Sequence, residues 1–556
     1  MSLPVLSVEN LTIGFGNGRH RRDVVRGISF HVDPGQCLAI VGESGSGKSV
    51  TARSLVGLTG DDSHVSADRM QLGDIDLRGL PNRRWRQIRG AEVGFVLQDA
   101  QSSLDPLRAV GKEIAEPFYV HRRGTRRQRR DWVLDLLRTV EVPEPEMRAR
   151  QLPHELSGGL RQRALIASAI ALNPKLLIAD EPTTALDVSV ASKVLDVLDL
   201  ATKRGAALIL ISHDLAVVSR LADQVAVIND GVIVEYGSVV RVLGSPQHHY
   251  TRLLLDAIPS THQRRTRLSP TASVADRLTT AENKPVEPAP AGPPLVSARN
   301  LVKLYRGPDG VTRTVVDDVS FDLRAGETLG VVGESGAGKS TVARIALALC
   351  DADGGEVLLD GQPWSALTAK DRRPLRRLIS CVQQDSLSFF DPRWTVHRIL
   401  ADALPRPRFP NRTARRVRIL ELLELVGLGE AYLDRRPLTL SGGQRQRVAI
   451  AWALAPAPSV IVCDEPVSAL DLSIQAQVLD LFADLQDLLG MAYLFISHDL
   501  GVIHHISDRI AVMKDGRIVE QGNAEAVFRE PKHPYTRQLL SALPTLPGPH
   551  RAGTES

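Results

Sequence analysis

The chain has 556 residues, a formal net charge of +4 at pH 7, 43% hydrophobic and 24% charged residues, and four cysteines. That length exceeds what one hydrophobic core organises, so two or more domains of ordinary globular composition are expected. The small net charge gives no overall drive towards nucleic acid. No apolar run approaches the roughly 18–20 residues that span a bilayer, and the opening MSLPVLSVEN has no basic stretch leading into an apolar one, so neither a membrane span nor a signal peptide is expected.

In chain order, the first informative element is QCLAIVG (36–42), a short apolar run that stops at glycine as buried strands do. GESGSGKS (42–49) follows and leads into the helical KSVTARSLVGL (48–58). The pattern G-x-x-x-x-G-K-[ST] between strand and helix is a P-loop, with Gly42 and Ser44 in its first turn. Backbone N–H groups from Gly45 through Gly47 to Ser49 form an anion nest, Lys48 is expected to reach the β- and γ-phosphates, and the Ser49 hydroxyl to hold Mg²⁺. Gln98 in FVLQD stands 50 residues after the lysine. The basic run HRRGTRRQRR (121–130) reads as the solvated surface of a helical segment, with a contact to lipid headgroups or a membrane partner as the alternative.

LSGGLRQR (156–163) places Ser157 as an N-cap and opens a second phosphate-sized nest at Gly158 and Gly159. LLIADEP (176–182) is a buried strand that ends on two carboxylates. Asp180 suits Mg²⁺ held through water, and Glu181 suits the polarisation of an attacking water. ALILISHDL (207–215) puts His213 at the C-terminal end of another strand, in reach of a γ-phosphate or that water. Residues 260–294, ending in ENKPVEPAPAGPP, are rich in Pro, Ala, Thr and charge and read as an extended linker.

The second half repeats the first. ETLGVVG (327–333) runs into GESGAGKS (333–340), with Gly333, Ser335, Gly336, Gly338, Lys339 and Ser340 in the P-loop positions. Gln384 lies in CVQQD, 45 residues after the lysine. LSGGQRQR (440–447) carries Ser441, Gly442, Gly443 and Gln444. VIVCDEP (460–466) ends on Asp464 and Glu465, and AYLFISHDL (492–500) carries His498. The offsets are 291 residues for the lysines, 284 for Ser157 to Ser441 and for Asp180 to Asp464, and 285 for the histidines. A nearly constant offset means two whole domains in register, at about 4–259 and 295–548. Strands and helices alternate in each, which predicts an α/β fold with a mainly parallel sheet.

Taken together and in this order, these elements resemble the ATPase domains of ABC transporters over nearly the whole chain. The resemblance implies two tandem P-loop ABC ATPase domains, each with an α-helical subdomain, at about 99–165 and 385–449. It implies ATP and Mg²⁺, with Ser49, Gln98 and Asp180 around one metal ion and Ser340, Gln384 and Asp464 around the other. Glu181, Glu465, His213 and His498 take the catalytic positions. Phe15 and Tyr305 fit an aromatic stacked on adenine, and Asp187 and Asp471 a signal between the domains. In the family two such domains pair head to tail. The Lys48 loop would then share a nucleotide with Ser441 and Gly443, and the Lys339 loop with Ser157 and Gly159. Leu160 departs from the pattern, which has glutamine there as the second half does at Gln444, so the second site is expected to lose one side-chain amide.

A narrower resemblance rests on HHYTRLLLDAIP (248–259), HPYTRQLLSALP (533–544), QSSLDP (101–106) and LSFFDP (387–392). These are similar to the ATPases of peptide and nickel importers, including dipeptide, oligopeptide and glutathione systems. The expectation is an ATPase powering import of di- or oligopeptides, with glutathione or a nickel chelate as the alternative. Two transmembrane permease subunits and an extracytoplasmic substrate-binding protein are the implied partners, with no nucleic acid, and the place is the cytoplasmic face of the bacterial plasma membrane. Cys37, Cys350, Cys381 and Cys463 have no metal-ligand spacing and read as reduced thiols, and with no cysteine after Cys463 neither an iron–sulfur cluster nor zinc is expected. The rival class, a soluble double ATPase acting on ribosomes or DNA, would call for a long charged helical linker or zinc cysteines.

Overall fold

The computed structural model describes residues 3–16, 21–97, 103–183, 186, 188–271, 273–274, 292–306, 310–384, 386–405, 407–468 and 470–541. These fall into two compact units, one running to Leu255 and the other covering Asp256–Ser541.

In the first unit the strand Cys37–Val41 lies between Ala207–Ile211 and Gln224–Asn229, parallel to both. The six-stranded sheet runs Val232–Ser238, Gln224–Asn229, Cys37–Val41, Ala207–Ile211, Leu176–Asp180, Val93–Val96, and only the first pairing is antiparallel. Every residue of Cys37–Val41, Leu176–Asp180 and Ala207–Ile211 is buried. Their unbroken apolar runs are what a strand covered on both faces requires. The second unit has the same order in Arg517–Asn523, Arg509–Lys514, Thr328–Val332, Ala492–Ile496, Val460–Asp464 and Ile379–Val382. The mainly parallel sheets expected from the sequence are therefore present in both halves.

Each unit also has an antiparallel sheet that the sequence reading did not anticipate. Leu6–Phe15 pairs with Arg22–Val32, Ser63–Ser66 and Arg69–Leu72. Val296–Arg306 pairs with Thr312–Leu323 and Gly354–Leu359. Irregularities between Val8 and Leu11, and between Ala298 and Leu301, break the two-residue alternation that would have announced these strands. Asn10 (φ 51°) and Asn300 (φ 47°) take the left-handed conformation there, which asparagine tolerates better than most residues.

Helices Val110–Val120, Arg126–Thr139 and Gly158–Ala169 occupy the stretch between the strands Val93–Val96 and Leu176–Asp180. Val396–Ala403, Arg412–Leu425 and Gly442–Leu454 do so in the second unit. The basic run 121–130 spans a turn and the start of one of these helices, where Thr125 and Gln128 form a capping box.

The segment read as an extended linker behaves otherwise in its described part. Leu268 and Val274 are buried. The Leu268 and Ser269 N–H groups and the Ser269 hydroxyl donate to the buried Asp480 carboxylate at 3.0, 2.9 and 2.6 Å. Arg264 pairs with Asp508, Arg265 reaches Asp508 at 3.2 Å and Gln486 at 2.7 Å, and Arg267 reaches Asp484 at 3.0 Å. Composition averaged over 260–294 conceals this, because the Pro/Ala-rich part lies in 275–291, outside the described residues.

Candidate phosphate and water site

Three adjacent parallel strands end on the same side of the first unit's sheet. Cys37–Val41 continues into the P-loop, Ala207–Ile211 into Ser212 and His213, and Leu176–Asp180 into Glu181. The carboxyl ends of parallel strands are where ligands of open α/β sheets sit. Thr328–Val332, Ala492–Ile496 and Val460–Asp464 deliver the second set.

The P-loop needs its glycines for space and conformation. A Cβ on Gly42 would lie 2.1 Å from the Ile228 carbonyl oxygen, and one on Gly333 2.2 Å from that of Met513. Gly47 (φ 105°) and Gly338 (φ 96°) are left-handed N-caps of the helices Lys48–Ser54 and Lys339–Ala346. Ser44, Gly45, Ser335 and Gly336 are the exposed part of each loop. Lys48 is buried, only 5% exposed, and donates to the carbonyls of Gly42 and Glu43, both at 2.8 Å. Lys339 does the same to Gly333 at 2.7 Å and Glu334 at 2.9 Å.

The Ser49 hydroxyl donates to Asp180 Oδ1 at 3.0 Å, and Ser340 to Asp464 Oδ1 at 3.1 Å. Burial pushes both carboxyls above the ordinary aspartate range, against the pull of these hydroxyls. Asp180 Oδ2 is buried with no hydrogen-bond partner among the described residues. A buried carboxylate with one oxygen unspent beside a serine hydroxyl fits Mg²⁺, whose charge would offset the cost of burying the anion.

Glu181 and Glu465 follow immediately, both in the left-handed region at φ 49° and 50°. That conformation costs a residue with a Cβ roughly 1–2 kcal/mol. It persists because the glutamate N–H groups are tied to the ends of the neighbouring strands, donating to Ile211 and Ile496 carbonyls at 2.9 Å each. The same strands place the histidines, so His213 Nδ1 meets Glu181 Oε1 at 3.3 Å and His498 Nδ1 meets Glu465 Oε1 at 3.2 Å. For Glu465 burial acts upward, but the His498 hydrogen bond and nearby positive charge leave it below the ordinary glutamate range. The same hydrogen bond holds His498 above the ordinary histidine value in spite of burial.

The LSGG segments divide into two kinds of glycine. Gly159 and Gly443 pack against the following helices, and a Cβ there would lie 2.7 Å from Val190 Cγ1 and 2.4 Å from Ile474 Cγ2. A Cβ on Gly158 would meet nothing within 4 Å, and one on Gly442 only Leu470 at 3.5 Å. Ser157 and Ser441 are N-caps, accepting from the N–H of Leu160 at 3.4 Å and of Gln444 at 3.3 Å. The Gln444 side chain is engaged locally, accepting from the Ser441 N–H at 3.1 Å and donating to Tyr432 at 3.2 Å. Leu160 cannot close that box.

Phe15 is partly buried against the first core. Tyr305 is 40% exposed with its hydroxyl 3.4 Å from Cys350 Sγ. Gln384 is exposed just after the strand Ile379–Val382. Gln98 and Asp187 lie outside the described residues, and Asp471 stands at the N-terminal cap position of the helix Leu472–Leu489 without a side-chain capping bond. Tyr250 and Tyr535, which the sequence reading used only as markers of resemblance, each accept a hydrogen bond from a P-loop N–H. The available signal was their recurrence 285 residues apart.

The family model for ABC transporters matches residues 25–184 and 316–468. The chain belongs to the ABC transporter family. A second model, the C-terminal region of oligopeptide/dipeptide transporters, matches 234–283 and 519–555. The glutathione import ATP-binding protein GsiA of Pectobacterium atrosepticum is 43% identical over 557 residues, covering 97% of this chain and 89% of that protein. The protein of the same name from Escherichia coli K12 is 42% identical, with the same coverage of each chain. A solved dimeric ATP-binding cassette in a post-hydrolysis state with ADP and Pi is 30% identical over 41% of this chain and 98% of its own, with a TM-score of 0.37. As an ABC importer chain, the protein is an ATPase that uses ATP with Mg²⁺ and works with membrane permease subunits at the membrane. No helix among the described residues is long and apolar enough to cross a bilayer.

Proposed function

We propose that both halves of this ABC importer ATPase hydrolyse ATP, and that the cargo is a di- or oligopeptide. The observation that carries the first part is the duplicated cluster of Lys, Ser, Asp, Glu and His around each P-loop, with the glutamate–histidine contact at 3.3 Å in one half and 3.2 Å in the other. Lys48 and Lys339 bind the phosphates. Ser49 with Asp180, and Ser340 with Asp464, hold Mg²⁺, which when bound neutralises phosphate charge. Glu181 and Glu465 accept the proton of the attacking water as its oxygen bonds the γ-phosphorus and the bond to ADP breaks. His213 and His498 orient these carboxylates. Gln98 and Gln384 are assigned to the metal, as the family pattern implies, and Tyr305 supports adenine. Ser157, Ser441 and the glycines after them supply a second phosphate nest in each half.

The peptide cargo is supported by the two matches to the oligopeptide/dipeptide transporter C-terminal region. A second reading, glutathione, has its own support in the printed names of relatives 41–43% identical to this chain. Either cargo implies an extracytoplasmic binding protein and a place on the cytoplasmic face of the plasma membrane. Uptake of labelled dipeptide, tripeptide and glutathione by a strain lacking this gene and by the complemented strain separates the readings. Restored uptake of glutathione alone would reject the peptide reading, and no restored uptake of any of them would reject both.

A further inference from the structure

The peptide group joining Gly42 to Glu43 is gripped from both sides. Lys48 Nζ donates to its carbonyl at 2.8 Å, and its N–H donates to the Tyr250 hydroxyl at 3.0 Å. The second half repeats this, with Lys339 Nζ to the Gly333 carbonyl at 2.7 Å and the Glu334 N–H to the Tyr535 hydroxyl at 3.1 Å. The partners are 207 and 201 residues apart in sequence, so the contact is tertiary in both units.

Each tyrosine is set in a built mount. Tyr250 is the second residue of the helix His249–Asp256, and its N–H donates to His248 Nδ1 at 3.2 Å. The Gln247 and His248 N–H groups donate to the two oxygens of Glu235 at 2.8 and 3.1 Å. Tyr535 has the same arrangement with His533 Nδ1 at 3.2 Å and with Glu520, which accepts from Lys532 and His533 at 2.8 and 3.0 Å. Glu235 and Glu520 lie on the last strand of each sheet. The helix start is thus fixed to the sheet, and the hydroxyl to the loop.

We propose that Tyr250 and Tyr535 are positioning residues for ATP, holding the first peptide group of each P-loop so that the lysine stays aimed from it. Glycine at 42 and 333 leaves this peptide group free to rotate. A flipped group would carry its carbonyl away from the lysine ammonium, and the tyrosine hydroxyl is the acceptor that opposes the flip. The peptide/nickel-type tail is in this way an arm of the nucleotide site and not only an appendage to the ATPase domain.

The proposal rests on the P-loops being the ATP sites, and the test keeps the two apart. Full-length chain carrying Tyr250→Phe and Tyr535→Phe together is compared with wild type and with Lys48→Ala/Lys339→Ala. Phenylalanine keeps the ring and removes the hydroxyl. The expected result is a KM for ATP raised about three- to tenfold, the size of one lost hydrogen bond, with kcat changed less than the KM and a melting temperature without nucleotide lowered by no more than about 4 °C. A wild-type KM in the tyrosine variant overturns the proposal, and so does a raised KM accompanied by a larger fall in melting temperature. If the lysine variant binds ATP as wild type does, the reading of the P-loops itself fails.

Discussion

Glu465 and His498 lie 33 residues apart in sequence and touch through Oε1 and Nδ1 at 3.2 Å. The contact follows from register. Asp464 pairs with Ile496 across parallel strands, so the residues just beyond each strand end are brought side by side. Asp180 pairs with Ile211 in the first unit and brings Glu181 to His213 in the same way. Glu181→Gln with Glu465→Gln is expected to leave ATP binding within a few-fold of wild type and to slow phosphate release by about 10²-fold or more, the usual contribution of a positioned base. Phosphate release and equilibrium ATP binding measure the two arms. Hydrolysis at the wild-type rate would remove the base assignment.

Two histidines of the second unit should respond to pH in opposite directions. His498 is raised above its ordinary value by Glu465, so the stability it contributes is complete below about pH 6.5 and is lost as pH rises through its folded value. His505 is lowered to about 4 by burial first and then by its neighbours His262, His504 and Arg264, which disfavour a further positive charge. The unfolded chain protonates this histidine from about pH 6.5 downward while the folded chain resists, so stability falls between about 6.5 and 4. His498→Gln should flatten the alkaline side of the stability profile, and His505→Gln the acid side, in denaturant unfolding followed across pH. Parallel profiles for both variants and wild type would contradict these environments.

Leu160→Gln should complete the capping box that Ser441 and Gln444 already form. The expected gain is about 0.5–1 kcal/mol in helix stability, with ATPase activity changed only a few-fold, because the backbone donors and Ser157 are already present. Gln444→Leu should do the reverse in the second half. Thermal unfolding and steady-state hydrolysis read these, and a silenced or strongly activated Leu160→Gln enzyme would show that position 160 does more than cap a helix.

Asp480→Ala removes the acceptor for three donors of the 268–269 segment. Buried donors without partners cost about 1–3 kcal/mol each, and the segment can recover part of this by turning to water, so a net loss of about 2–3 kcal/mol is expected. The site is remote in sequence from both P-loops, so the KM for ATP should stay near wild type. Proteolysis at 264–274 should become faster, and unchanged cleavage would mean that the docking contributes little.

Gln384→Ala should lower permease-stimulated ATPase more than basal ATPase, since Gln384 is exposed just after the strand Ile379–Val382, where the chain leaves the sheet for the helices that follow. Reconstitution with the permease subunits supplies both rates. Equal losses would remove the coupling role.

The chemistry of this protein was legible in its sequence because it is written in contiguous residues. A P-loop is a local conformation demanded by Gly42, Gly47 and Lys48, and buried parallel strands such as Leu176–Asp180 are continuous apolar runs. The internal repeat added register to each assignment. Tertiary structure decided what depends on distant partners. It spent Gln444 on a cap and on Tyr432, left Phe15 partly buried against a core, and buried Leu268 and Val274 within the second unit in place of a free linker. It also brought Tyr250 to Glu43 and Tyr535 to Glu334. Composition and spacing cannot report such contacts, because the sheet order that creates them places side by side strands that are remote in sequence. The energy of each contact then depends on burial and hydrogen bonding that only the folded chain possesses.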